Sequence, residues 1–285
     1  MIQLPDVSAD MPTAQVQGEA STWIGPRLSL FIQTQLRTAQ QQLARKGLSR
    51  HKGIHEARKC IRRAKAALAI GYPVFGDRGV RLNAGLGRIC RGLSPLRDAQ
   101  ALTEVLQRLH AGATDDLQKI LPAAESAARQ RRDRSLEAAL ACDPQFKRRC
   151  QRLQRLSENL RRLDWDRVGE DRVLEAIKRS ERRLEKAGKR VSNSAEDNEA
   201  WHDYRRRLRR LKQQDTLLTG LDMETGLLNR EFRTQADALG NAQDDVLLIR
   251  RCGKDSPFRA EHRRLLRRTA RQRLYNARGN WIQLH

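Results

Sequence analysis

The sequence predicts an all-α protein. Nearly everything after residue 20 carries apolar residues at a helical period, with few strand signals. Glycine and proline breakers fall at helix-length intervals along the chain. One basic amphipathic pattern also occurs twice, about half a chain length apart.

Taken in order, the spacing predicts helices over residues 22–46, 53–70, 78–92, 95–111, 115–140, 144–163, 170–190, 197–219, 225–239, 242–253 and 258–277. Gly47 closes the first, and Gly71-Tyr72-Pro73 separates the second from the third. Ser94-Pro95 opens the fourth, with proline at the first helical position, where its missing N–H costs nothing. Gly112, Asp143-Pro144, Gly169, Gly220 and Ser256-Pro257 mark further boundaries.

The duplicated pattern is Ile54-His55-Glu56-Ala57-Arg58-Lys59-Cys60-Ile61-Arg62-Arg63-Ala64-Lys65, and then Trp201-His202-Asp203-Tyr204-Arg205-Arg206-Arg207-Leu208-Arg209-Arg210-Leu211-Lys212. Each histidine is followed by cations at +3, +4, +7, +8 and +10. At about 100° per residue these cations fall within about ±80° of the histidine. Ile54, Ala57, Ile61 and Ala64 in one copy, and Trp201, Tyr204, Leu208 and Leu211 in the other, form the opposite, apolar stripe. Like charges three or four residues apart repel by about 0.2–0.5 kcal/mol per pair. An ordinary solvated face mixes signs, as residues 170–189 do. These stripes have almost no acid on the same face, and a cation-only face occurring twice points to an anionic partner. The repeat extends to Leu93-Ser94-Pro95-Leu96-Arg97-Asp98 against Leu239-Gly240-Asn241-Ala242-Gln243-Asp244. Duplicated helical hairpins of this kind are expected to pack as two bundles about a pseudo-two-fold axis. Asp98 and Asp244 are expected near helix starts, where a carboxylate accepts backbone N–H groups, or else beside a ligand-facing arginine.

Charge agrees with this reading. The 285 residues carry a formal net charge of +23, and 46 of the 57 basic residues are arginine, whose rigid fork suits phosphate oxygens. Such a charge favours a polyanion: nucleic acid, an anionic membrane surface or an inorganic phosphate chain. Only 4% of residues are aromatic, whereas single-strand binders interleave aromatics with the basic groove. No helix-turn-helix, RNA-recognition or zinc-finger pattern is visible. Phosphoryl transfer needs metal-holding carboxylates or a P-loop, and the acidic residues are scattered with no G-x-x-x-x-G-K-[ST]. No catalytic residue, metal site or cofactor is expected. His51 and His55, four apart, sit among cations that would repel a metal ion. Five cysteines without a C-x-x-C pair suggest neither zinc nor a disulfide framework, and Cys60 and Cys90 read as small core residues. No apolar run approaches a membrane span, and residues 1–20 read as a flexible tail rather than a signal peptide, so a cytoplasmic location is expected.

The two H-x-x-R-x-x-x-R-R-x-[RK] segments, each followed by an L-x-x-x-x-D corner, resemble the CHAD domain, the conserved histidine α-helical domain. The resemblance spans about residues 20–280. It implies two four-helix bundles around a basic groove or pore, one domain over 21–285 with halves at about 21–165 and 166–285, and non-catalytic binding of inorganic polyphosphate. It implies as binding residues His55, Arg58, Arg62, Arg63 and Lys65, then His202, Arg205, Arg209, Arg210 and Lys212, with Arg91 and Arg97 where the family tends to carry arginine. Lys59 and Arg206, on the same stripes, join them as candidates. Association with polyphosphate granules and a polyphosphate-metabolising enzyme partner would follow. The alternative is RNA or DNA binding, weak and electrostatic, through the same surface. Gly85 and Gly87 depart from the family's longer or charged residues. Gln243 stands where the first copy has Arg97, so the two halves are expected to contribute unequally.

Overall fold

The helical period is realised as ten α-helices in the computed structural model, which describes residues 24–223 and 230–283. They are α1 (Ile24–Leu43), α2 (Arg50–Leu68), α3 (Tyr72–Gly92), α4 (Ser94–Leu109), α5 (Asp115–Cys142), α6 (Lys147–Arg161), α7 (Glu170–Asn193), α8 (Asn198–Thr219), α9 (Arg230–Arg251) and α10 (Ala260–Gln283). No strand occurs among the described residues. The expected tail over 1–20, and the starts of the expected helices 22–46 and 225–239, lie outside the described residues.

Two internal boundaries differ from the sequence reading by more than a helical turn. The third helix begins at Tyr72 rather than 78, because one turn forms after Gly71 before Gly76 kinks the chain at φ 51° and ψ −141°. Only glycine reaches such backbone angles without strain. The helices expected over 225–239 and 242–253 are instead one, α9. The first copy breaks here because Pro95 has no N–H for the ladder, leaving Leu93 between α3 and α4. The second copy has Asn241 in that place, and the ladder runs on through Gly240.

Side-chain carboxylates set two of the helix starts. Asp143 is buried; it accepts the Arg148 N–H at 2.9 Å and the Arg149 guanidinium at 2.7 Å, fixing the entry to α6. Asp197 accepts the Glu199 N–H at 2.8 Å and opens α8.

Buried residues form three clusters. The first joins α1, α2, α3 and α6 through Leu28, Ile32, Leu36, Ile61, Leu86 and Leu153, and it reaches the start of α7 and the end of α8. The second draws Leu102, Leu106, Leu121 and Ala128 from α4 and α5, and Leu248, Leu266 and Ala270 from α9 and α10. The third sits between α7 and α8, closed by Leu239 and Trp281. Trp201 and Tyr204 lie in this third core, edge-on to Trp281 at 5.1 and 4.9 Å, on the apolar side expected of them.

This packing sets the two histidine-bearing helices side by side. α2 packs directly on α8. Gln214, fully buried on α8, donates from Nε2 to the Ala66 carbonyl of α2 at 3.1 Å. A fully buried amide held this way pins the lateral register of the two helices.

Candidate functional site

The apolar stripe of α2 enters the first core and most of that of α8 the third, with only Leu217 and Leu218 of α8 reaching the first, and the basic stripes of the two helices come together. Arg62 lies next to Arg209 of the opposite helix, and beside Arg58 and Arg97. Arg209 neighbours Arg205, Arg58 and Arg206. Burial, reinforced by neighbouring positive charge, pushes the pKa of Arg62 and of Arg209 down to about 10. Arg205 is lowered by burial and then by Arg62 and Arg97, with Asp244 opposing the shift. Residues 147 apart in sequence are thus brought to one place.

These guanidiniums have lost water without full compensation. The Nε atoms of Arg58, Arg62 and Arg205, and Nη1 of Arg97, are buried and have no hydrogen-bond partner. Buried donors are normally satisfied, and an unpaired one costs about 1–3 kcal/mol. Four such atoms lie within one cluster of like charge, which an acid enters at Arg97, whose Nη2 is 3.2 Å from Glu104.

The surrounding structure holds the arginines in position. Arg58 donates to the Cys90 carbonyl and, at 2.8 Å, to Ser94 Oγ. Asp98 lies beside Arg58, Arg251, Arg97 and Arg250; burial nevertheless keeps its carboxyl above the usual range. Asp244 lies beside Arg205 and accepts from Arg108 at 2.9 Å. Neither acid serves a helix start: Asp98 is past the first turn of α4 and Asp244 is well inside α9. Of the two expectations for these acids, the structure supports placement beside the arginines.

A family model for the CHAD domain matches residues 31–253. The chain belongs to the CHAD family. Its fold is similar to the crystal structure of the CHAD domain from the plant Ricinus communis, with a TM-score of 0.61 and 18% identity over 87% of this chain and 85% of that chain. At that identity the likeness concerns the fold alone. No curated protein sequence matches the chain.

Within this CHAD domain the sequence-derived residues divide into groups. Arg58, Arg62, Arg97, Arg205 and Arg209 form the centre. Lys65 neighbours Arg210, Arg91 and Arg206 at one end; burial, and then these charges, lower its pKa. Gly87 makes this end possible, because a Cβ there would come within 3.0 Å of Lys65 Nζ and 3.4 Å of Arg91 Nη1. Gly85 does something else: a Cβ would meet Leu156 at 2.8 Å, which is close helix packing. The flanks are not purely cationic, contrary to the sequence reading. Lys59 pairs with Glu56 at 3.2 Å, while Arg206 and, at 3.3 Å, Arg207 pair with Asp203. Glu56 and Asp203 hold matching places in the two copies. Arg63 is exposed and Lys212 half-buried.

The histidines differ from one another. His55 is half-buried, and burial together with Arg97 holds its pKa below 6.5 against the pull of Glu56 and Glu104. It also borders a cavity of about 610 Å³ whose lining mixes His51, Lys52 and Arg132 with Glu104, Asp133 and Glu137. Those carboxylates make that cavity unsuited to a polyanion. His202 is exposed, with Nδ1 3.3 Å from Gln243 Oε1. Gln243 thus meets His202 where the matching Arg97 neighbours His55.

Two participants were missed. Tyr72 has a buried, unpartnered hydroxyl near Arg210 and Arg183, and burial raises its pKa to about 12. Arg183 comes from α7, whose mixed-sign pattern hid it. The Cys90 side chain, half-buried against the first core as expected, also adjoins Arg62, Arg209 and Lys65. Among the described residues, no cluster of His, Cys, Asp and Glu could hold a metal ion, and no helix is long and apolar enough to cross a membrane.

Proposed function

We propose that this CHAD domain binds inorganic polyphosphate, without catalysis, in a basic groove between α2 and α8. Its two halves, at about 21–165 and 166–285, would be pseudo-symmetric four-helix bundles meeting at that groove. The observation that carries the reading is the set of buried, unpartnered guanidinium donors on Arg58, Arg62, Arg97 and Arg205. A phosphate chain presents oxygens on every unit and no bases, so it needs dense N–H donors and no stacking surface. The neighbouring Trp201 is in the core and spends its N–H on the Ala195 carbonyl at 2.7 Å. His55, Arg58, Lys59, Arg62, Arg63, Lys65, Arg91 and Arg97 would line one wall, and His202, Arg205, Arg206, Arg209, Arg210 and Lys212 the other. Lys65, Arg91, Arg210, Arg183 and the Tyr72 hydroxyl would extend the track past the central arginines. A cytoplasmic setting beside a polyphosphate-metabolising enzyme fits such a module.

Calorimetric titration with polyphosphate of defined length at physiological salt tests this, with single-stranded RNA as competitor. Saturable polyphosphate binding that equal phosphate concentrations of RNA do not displace is the expected result. Displacement by RNA from the α2–α8 site would transfer the function to nucleic acid.

A further inference from the structure

α10 lies beyond the residues matched to the family model. It carries seven arginines and a single acid, Glu261 in its first turn. Four of the arginines have structural partners. Arg263 donates to the Phe258 carbonyl at 3.0 Å, Arg267 to the Cys252 carbonyl, Arg273 to Asp245 at 3.2 Å, and Arg278 to Asn198 at 2.6 Å. The other three, Arg264, Arg268 and Arg271, are exposed and have no ion pair or hydrogen bond among the described residues. At about 100° per residue they share one stripe with Tyr275, all within about 40° of Arg264, over about 16 Å of helix. Tyr275 is 75% exposed, the most exposed large apolar side chain on the described surface. These four residues, with Lys254, Arg263, Arg267 and Gln272, border a cavity of about 900 Å³.

This face differs from an ordinary solvated one on the same protein. α7 intersperses acids along its length, and three of its cations pair with them: Arg172 and Arg179 with Glu175, and Lys189 with Glu185. Beyond Glu261 no acid on α10 does this. It also differs from the α2–α8 cluster, because an aromatic ring stands in line with its cations. A bare phosphate chain has no use for that ring, whereas a nucleobase can stack on it between backbone contacts to arginine.

We infer that the Arg264–Arg268–Arg271–Tyr275 face of α10 is a second binding site, for single-stranded nucleic acid, separate from the α2–α8 cluster. The arginines hold successive phosphates and Tyr275 receives a base, with no sequence readout built in. The two sites let one chain hold both classes of polyanion at once.

The test is fluorescence anisotropy of a labelled single-stranded RNA of about twenty nucleotides, titrated with the full chain at physiological salt. It is run alone and with one equivalent of polyphosphate. RNA affinity should survive the polyphosphate. It should fall about tenfold in Tyr275→Ala and in Arg268→Gln/Arg271→Gln, and stay within about twofold in Tyr275→Phe, which keeps the ring. Arg62→Gln/Arg209→Gln should leave it unchanged. Tyr275 and the two arginines are exposed, so these variants should fold, and thermal melting checks that they do. Three results overturn the inference: RNA affinity unchanged in Tyr275→Ala; RNA lost in Arg62→Gln/Arg209→Gln, which assigns it to the first cluster; or Arg268→Gln/Arg271→Gln reducing bound polyphosphate rather than RNA. The RNA arms report on α10 even if polyphosphate fails to bind at all.

Discussion

A guanidinium that has given up water without gaining a carboxylate raises the energy of the folded state, and Arg62 and Arg209 lie together in that condition. Relieving it should stabilise the protein and disable the site together. In Arg62→Gln/Arg209→Gln, denaturant melts should show the unfolding free energy rising by about 1 kcal/mol, while calorimetry shows polyphosphate affinity falling at least tenfold. Reduced stability would mean that these charges are compensated within the fold. His55 supplies a pH signature. Its folded-state pKa lies below its ordinary 6.5. Below that pH the unfolded chain therefore binds more protons than the empty folded chain, so this residue's stabilising effect is complete above pH 6.5 and is lost as pH falls. A bound polyanion raises the same pKa and reverses the sign. Melting temperature should thus drop from pH 7.5 to 5.5 in the empty protein, less steeply in His55→Gln, and polyphosphate should bind more tightly as pH falls from about 8 to 6.

At the scale of the element, α3 shows why two glycines so close together have different purposes. Gly85 admits Leu156 of α6, and its methyl would collide in a filled core. Gly87 admits only the mobile ends of Lys65 and Arg91. Gly87→Ala should therefore raise stability by up to about 1 kcal/mol, the helix-interior difference between the two residues. The same methyl displaces two cations, so affinity for polyphosphate should fall severalfold. Paired thermal melts and titrations check this, and equal affinity would remove this end of the cluster from the binding track. α9 makes the complementary point. Its sequence keeps the leucine and the aspartate of the corner between α3 and α4 but not the proline, so one helix replaces two, and Asp244 reaches Arg205 and Arg108 from mid-helix.

For the whole molecule, a net charge of +23 is a standing self-repulsion that a polyanion relieves. A ligand present at a hundred times its dissociation constant contributes about 2.7 kcal/mol to stability. Differential scanning fluorimetry should therefore register a clear rise in melting temperature with polyphosphate at low salt. The rise should shrink steeply as salt increases, because counterions condensed on the chain are released on binding. A salt-independent rise would place the dominant contacts outside the arginine cluster.

The sequence alone determined the helical class, most element boundaries, the duplicated stripes and the sign of their charge. These rest on local quantities: period, breakers and charge, all of which can be read within a few turns of helix. It also identified the arginines that meet, since an amphipathic stripe states which side chains share a face. Only the tertiary structure decided that the two faces oppose each other, because that depends on how three cores seat α2 against α8, and on Gln214 reaching Ala66. It alone decided which cations are spent on Glu56 and Asp203 and which stay unpaired, and that Tyr72 and Arg183 approach Arg210. Burial and neighbouring charge are sums over residues distant in sequence, so helical periodicity, which describes one segment at a time, carries no trace of them.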